Sequence, residues 1–125
     1  MLSNAKLVAF AATTNGDRAA TFYRDVLGLT VNTNDEFALS LAAGDVELRV
    51  QKVAEFRPQS FTSLGWQVAD IASVVAQLGA RGVVFERYPW LEQDAAGIWR
   101  APSGAQVAWF RDPDGNLLSI AQYPD

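Results

Sequence analysis

The chain has 125 residues, half of them hydrophobic, and sets 10 Lys and Arg against 14 Asp and Glu for a formal charge of −4. That length suits one compact domain with a real core, and scattered basic residues without a stripe argue against nucleic acid as a partner. With no His and no Cys, a Ser-His-Asp triad, a Cys-His pair and thiolate or imidazole metal ligands are all excluded, leaving only all-oxygen sites suited to Ca or Mg.

No apolar run approaches the roughly 20 residues needed to span a bilayer. The opening residues, MLSNAKLVAF, lack the pattern of a signal peptide. The default compartment is therefore the cytoplasm.

In chain order, Leu7–Ala12 reads as a first strand. Thr14 then caps a helix, with Asp17 in the capping-box position. Ala19, Phe22, Tyr23, Val26 and Leu27 fall on one helical face, and Gly28 ends the helix. Three strands follow, at about Leu29–Thr33, Phe37–Ala42 and Asp45–Gln51, with Gly44-Asp45 turning between the last two. The segment 53–61 contains Pro58, has no clean period and reads as a linker.

The pattern then restarts. SLGWQVAD is a strand that ends at Asp70, a good N-cap. Ile71, Val74, Val75 and Leu78 form one face of a second helix, which Gly79 and Gly82 close. VVFERY, AQVAWFR and NLLSIAQ read as three more strands. The chain is thus β-α-β-β-β written twice: module one at about 5–52, module two at about 62–123, in a single domain spanning 1–125. The second copy is longer, and the excess fits Pro89–Ser103, a loop long enough to be functional.

The stretch RDPDGNLLSI, Arg111–Ile120, looks at first like an acidic metal loop. Counted from Asp112, an EF-hand needs Gly at position 6 and a Glu at position 12. Those positions hold Leu117 and Tyr123. The stretch is a turn instead, with Pro113 presetting it and Asp114-Gly115 supplying positive φ values.

FYRDVLGL at 22–29 and DPDGNLLSI at 112–120, in this order and on these elements, resemble the vicinal oxygen chelate superfamily. That group includes glyoxalase I, extradiol dioxygenases and bleomycin-resistance proteins. The resemblance covers nearly the whole chain. It implies an α+β fold of two βαβββ modules forming a curved mixed sheet around a concave pocket. It also implies a homodimer, and for the enzymes a metal held by inward residues on four strands. The matching positions here are Val8, Glu47, Ser63 and Ser119. One carboxylate, two neutral hydroxyls and a valine are a poor donor set for a divalent ion, so neither metal nor other cofactor is expected.

Strand alternation then gives a pocket lining. Val46, Leu48 and Val50 form one apolar face, to lie under the helices. Glu47, Arg49 and Gln51 form the other, which the resemblance places toward the cavity. Phe10, Ser63, Gln67 and Ser119 follow the same parity, and Phe110, with Ala108, is placed on the cavity side. Without the resemblance, Glu47 and Arg49 read equally as a surface ion pair on a solvated sheet. Trp66 and Trp109 are read as packing residues. Trp90 and Trp99, beside the long loop, either stack on a planar ligand or cover a sheet edge or dimer interface. Glu92 and Asp94 beside them favour a cationic ligand.

Three functions fit this reading. The first is a metal-free binding protein of the bleomycin-resistance type, holding an aromatic or cationic small molecule without altering it. The second is a glyoxalase-like isomerase or lyase, with Glu47 as general base and Arg49 stabilising an enolate-like charge. The third is a protein-interaction role.

Overall fold

Strand β1 (Val8–Thr13) leads into helix α1 (Gly16–Thr21), and β2 (Thr30–Asn34), β3 (Ala38–Ala43) and β4 (Val46–Lys52) follow. The computed structural model describes all residues, 1–125, and these elements lie in the first of its two units, Met1–Pro58 and Gln59–Asp125. The sheet order is β1-β4-β3-β2, with β1 parallel to β4 and the other pairs antiparallel.

Alternation sets one face of this sheet in the core, although Ala38 and Ser40 on the other face of β3 are buried too. Leu39, Leu41, Leu48 and Val50 are at most 2% exposed and form its core face with Ala19, Ala20 and Tyr23 of the helical segment. Burying each such side chain contributes about 1.5–3 kcal/mol. The predicted parity of Val46, Leu48 and Val50 against Glu47, Arg49 and Gln51 is the parity of β4 in the structure.

The helix cap falls one residue later than the sequence pattern places it. Asn15, not Thr14, is the N-cap, and its Oδ1 accepts from the Arg18 N–H at 3.0 Å. Buried Thr13 fixes this entry: its Oγ1 accepts from the Asn15 N–H and donates to the Asn15 carbonyl. Beyond Thr21 the helix widens into one π-type turn, Phe22–Val26, where the Leu27 N–H reaches the Phe22 carbonyl at 3.0 Å. Gly28, at φ +78°, ends it.

The second unit repeats the plan with a change at its edge. It contains β5 (Leu64–Gln67), α2 (Ile71–Ala80), β6 (Trp99–Arg100), β7 (Gln106–Arg111) and β8 (Leu117–Gln122), in sheet order β5-β8-β7-β6 with β5 parallel to β8. Asp70 caps α2, accepting from the Ser73 N–H at 3.1 Å. The Ile71 N–H donates to Gln122 Oε1, which ties the helix start to β8. Ile71, Val75 and Leu78 are buried and Val74 is half-buried. Gly79 lies inside this helix rather than closing it, and Gly82 at φ +93° follows it.

The predicted strand VVFERY is not one. Residues 83–88 touch β7 where the Glu86 N–H donates to the Trp109 carbonyl at 2.7 Å. The ladder stops there because the Tyr88 N–H is taken by the Gln93 side chain and Pro89 has no N–H to give. The two-residue strand β6, from the long loop, occupies the sheet edge instead.

The turn before β8 also differs in detail. Only Gly115, at φ +90°, adopts positive φ, and Asp114 does not. Asp112 organises the loop: its Oδ1 accepts from the Asp114 and Asn116 N–H groups, and its Oδ2 accepts from Asn116 Nδ2 at 2.7 Å. Both Asp112 and Asn116 are buried. No helix in the chain is long and apolar enough to cross a membrane.

Candidate functional site

The long loop of the second unit is held chiefly by the Gln93 side chain, with Asp94 at its tip. Gln93 Oε1 accepts from the Tyr88 N–H at 2.7 Å, while its Nε2 donates to the carbonyls of Glu86 and Gly97, both at 2.9 Å. Asp94 Oδ1 accepts from the Ala96 and Ile98 N–H groups and closes the tip, where Gly97 sits at φ +96°. These bonds fix the segment that carries Tyr88, Trp90 and Leu91.

Those three residues form one wall of a cleft of about 490 Å³. Ser60, Phe61 and Thr62 approach from the segment before β5, Trp109 and Arg111 from β7, and Leu117 from β8. The size lies within the usual range for small-molecule sites, about 300–1,000 Å³. The aromatic rings run in a chain. Trp90 lies 5.0 Å from Tyr88 at 30°, Tyr88 meets Trp109 edge-on at 5.6 Å, and Trp99 lies 6.0 Å from Trp109 at 34°. Trp90 nevertheless stays 74% exposed and Phe61 64%, so each presents a ring surface that the fold itself does not cover.

Arg111 brings the one charge among the lining residues. Its Nε donates to Glu86 Oε1 at 3.0 Å and its Nη1 to the Gly115 carbonyl at 2.7 Å. Partial burial, with Glu86 adding to it, raises the Tyr88 phenol above the ordinary tyrosine range, so the hydroxyl remains a neutral donor.

The residues expected at a site divide between the two units. Phe10, Glu47, Arg49 and Gln51 share one face of the first sheet, with Val8 opposite Glu47 and Phe10 opposite Arg49 in register. Glu47 Oε2 accepts from Ser40 Oγ at 2.7 Å and lies 3.4 Å from Arg49 Nη1. The Ser40 hydrogen bond, and after it the Arg49 guanidinium, hold the Glu47 carboxyl below the usual glutamate range despite partial desolvation.

In the second unit Ser63, Gln67 and Ser119 share a sheet face by register. The Ser63 N–H donates to the Leu117 carbonyl beside the cleft, and Gln67 is exposed. Ser119 stands between Gly65 and Trp109. A Cβ at Gly65 would come within 2.7 Å of its Oγ, so the glycine keeps room for that hydroxyl. Trp90 lines the cleft, whereas Trp99 stands beside Trp109, paired with Val107, and is not part of the lining.

Phe110 corrects the expected lining. It is 0% exposed, meets Phe85 at 5.6 Å, and lies on the opposite face of β7 from Trp109. The hairpin pairs Trp109 with Ser119, so parity counted from Ser119 leads to Trp109, the residue read as packing. A slip of one residue exchanges the faces of a strand. Leu91 and the 60–62 segment lie outside any predicted or observed strand, and Tyr88 ends the predicted strand VVFERY, which does not form.

A metal of the kind the resemblance implies does not fit these residues. Val8 has no donor atom, Ser63 and Ser119 offer neutral hydroxyls, and Glu47 is already committed to Ser40 and Arg49. Nowhere in the chain do three or more Asp and Glu side chains gather as a possible ligand set.

The description Glyoxalase/Bleomycin resistance protein/Dioxygenase superfamily matches residues 7–120. Among solved structures, the chain is similar to a lactoylglutathione lyase from Agrobacterium tumefaciens, at TM-score 0.75 and 18% identity, covering 98% of this chain and 96% of that one. It is similar to an antibiotic-binding protein from Streptomyces, at TM-score 0.72 and 21% identity, covering 99% of both chains. A glyoxalase family protein from Enterococcus faecalis gives TM-score 0.70 and 24% identity, covering 97% of this chain and 99% of that one. No curated protein matches. At these identities the structural likeness speaks for the fold, and with the match over residues 7–120 the chain belongs to the glyoxalase/bleomycin resistance protein/dioxygenase superfamily.

Proposed function

We propose that this protein binds an aromatic small molecule in the cleft of its second unit, without a metal ion and without converting the ligand. The observation that carries this reading is the cleft itself, about 490 Å³ and walled by Trp90 and Trp109. An exposed tryptophan ring leaning on Tyr88 at one face has its other face free for a planar partner, and stacked or edge-on rings favour such contacts. The polar residues of the first unit then have a structural role rather than a catalytic one. A Glu47 held below its ordinary pKa is a weak proton acceptor, which disfavours the isomerase or lyase alternative.

Titration of tryptophan fluorescence with a panel of planar aromatic antibiotics tests the proposal. At least one compound should quench the wild-type signal saturably, and Trp90→Ala should weaken that compound about tenfold or more. If no aromatic compound changes the signal, or Trp90→Ala binds as well as wild type, the cleft is not the site. Metal analysis of purified protein should find less than a stoichiometric amount of any transition ion; a full equivalent would overturn the metal-free part.

The same reading includes a homodimer, as the resemblance to small single-chain members implies. Exposed Phe37 offers apolar surface for such contacts. Sedimentation velocity at several concentrations checks this, and a monomer throughout would remove it.

A further inference from the structure

We propose that the cleft selects an uncharged planar aromatic ligand over a cationic or anionic one, and that the Glu86–Arg111 pair sets this preference. This deepens the reading of the cleft as an aromatic site and rests on it. Arg111 is the charged residue that lines the cleft. Its guanidinium is already matched, with Nε on Glu86 Oε1 at 3.0 Å and Nη1 on the Gly115 carbonyl at 2.7 Å. The pair is about one-third exposed on both sides, so solvent screens it. What matters is that neither charge is left unmatched beside the cleft.

The other charged residues of this segment lie outside the lining. Residues 86–114 carry five acids, Glu86, Glu92, Asp94, Asp112 and Asp114, and three bases, Arg87, Arg100 and Arg111. Asp94 is committed to the Ala96 and Ile98 N–H groups, and Arg87 donates to the Gln93 carbonyl. Asp112, next to Arg111, is buried and closed by Asn116. Glu92 is exposed, and it is not among the lining residues. The acids read from sequence as favouring a cation, Glu92 and Asp94, are not among the residues that line the cleft.

A charged ring entering this cleft loses hydration and gains no unmatched partner. Burying a charge without a partner is costly, whereas a neutral ring loses little hydration. It still covers the free faces of Trp90 and Phe61 and meets Trp109.

Three probes with one ring system separate the cases: acridine, uncharged at pH 8, 9-aminoacridine, a cation, and acridine-9-carboxylate, an anion. Wild-type protein, followed by tryptophan quenching and by calorimetry, should bind acridine about tenfold or more tighter than either ion, the ratio that 1.4 kcal/mol produces. Glu86→Gln uncovers the guanidinium and should move the carboxylate probe up the order. Arg111→Gln uncovers the Glu86 carboxylate and should move 9-aminoacridine up instead. Far-UV circular dichroism confirms that each variant folds, and either variant suffices if the other does not. Tighter wild-type binding of either ion, or an order of affinity unchanged in the folded variants, overturns the charge inference alone. If none of the three acridines binds, the aromatic reading of the cleft falls with it.

Discussion

The two units share a plan and differ in what their sheets present. The first has a polar face, where Glu47, Ser40 and Arg49 bond to one another and Phe10 stands beside Arg49. The second has an aromatic cleft, where Trp90, Tyr88 and Trp109 line open volume. The difference traces to residues 83–103. In the first unit a five-residue strand, β2, with one register shift between Val31 and Thr33, closes the sheet; in the second a side chain, Gln93, holds an irregular loop there and β6 contributes only two residues. A regular edge strand must satisfy its neighbour's backbone along its length. A loop tied by one amide is free to place large aromatics where the ladder is absent. A duplicated plan can therefore carry a strand-closed sheet edge in one copy and an open aromatic cleft in the other.

The largest effect that tests this contrast is on stability. Phe110→Ala should destabilise the protein by about 3–5 kcal/mol, the range for deleting a buried aromatic side chain, because Phe110 is fully buried against Phe85. Phe10→Ala, at a ring 52% exposed, should change stability by no more than about 0.5 kcal/mol. Urea denaturation measures both. Equal losses would mean that the two sheets do not differ in this way.

Next comes the loop. Gln93→Ala removes the acceptor for the Tyr88 N–H and the donor to the Glu86 and Gly97 carbonyls. The expected loss is about 1–3 kcal/mol, since partly buried backbone groups are left without partners. Aromatic ligand affinity should fall with it, because Tyr88 and Trp90 lose their support. A variant with normal stability and normal binding would show that the amide does not hold the wall.

Trp90→Ala should separate the two properties. Its ring is exposed, so stability should move by less than about 0.5 kcal/mol while ligand affinity falls about tenfold. Thermal melting alongside the fluorescence titration reads both. A large drop in melting temperature would recast Trp90 as a packing residue.

The elements most legible in the sequence were those that follow a period. Val46, Leu48 and Val50 alternate against Glu47, Arg49 and Gln51, and the sheet obeys that pattern because one face must be buried. Asp70 announced its helix because an unsatisfied N–H at the helix start needs an acceptor. The site was less legible for the opposite reason. Tyr88, Leu91 and Phe61 lie where the backbone has no period, held by bonds such as Gln93 to Tyr88 that no local pattern encodes. Composition does not tell Phe110 from Trp109, because adjacent large aromatics on one strand fit either face. Only the pairing of Trp109 with Ser119 decides between them.

The smallest effect belongs to the first unit and concerns pH. Glu47 has a carboxyl held below its ordinary value, first by Ser40 and then by Arg49. A carboxyl with a lowered folded pKa contributes stability that is complete above its unfolded value, near 4.5, and that is lost as pH falls through the lower folded value. The contribution is small because the pair is about one-third exposed. Ser40→Ala removes the leading cause and should raise the Glu47 pKa toward its ordinary value, which carboxyl-carbon NMR titration reads directly. Arg49→Gln should raise it less. If Arg49→Gln raised it more, the guanidinium rather than the serine hydroxyl would hold this carboxylate. The polar face would then be an ion pair with a bystander, and its contrast with the matched Glu86–Arg111 pair beside the cleft would narrow to one of position.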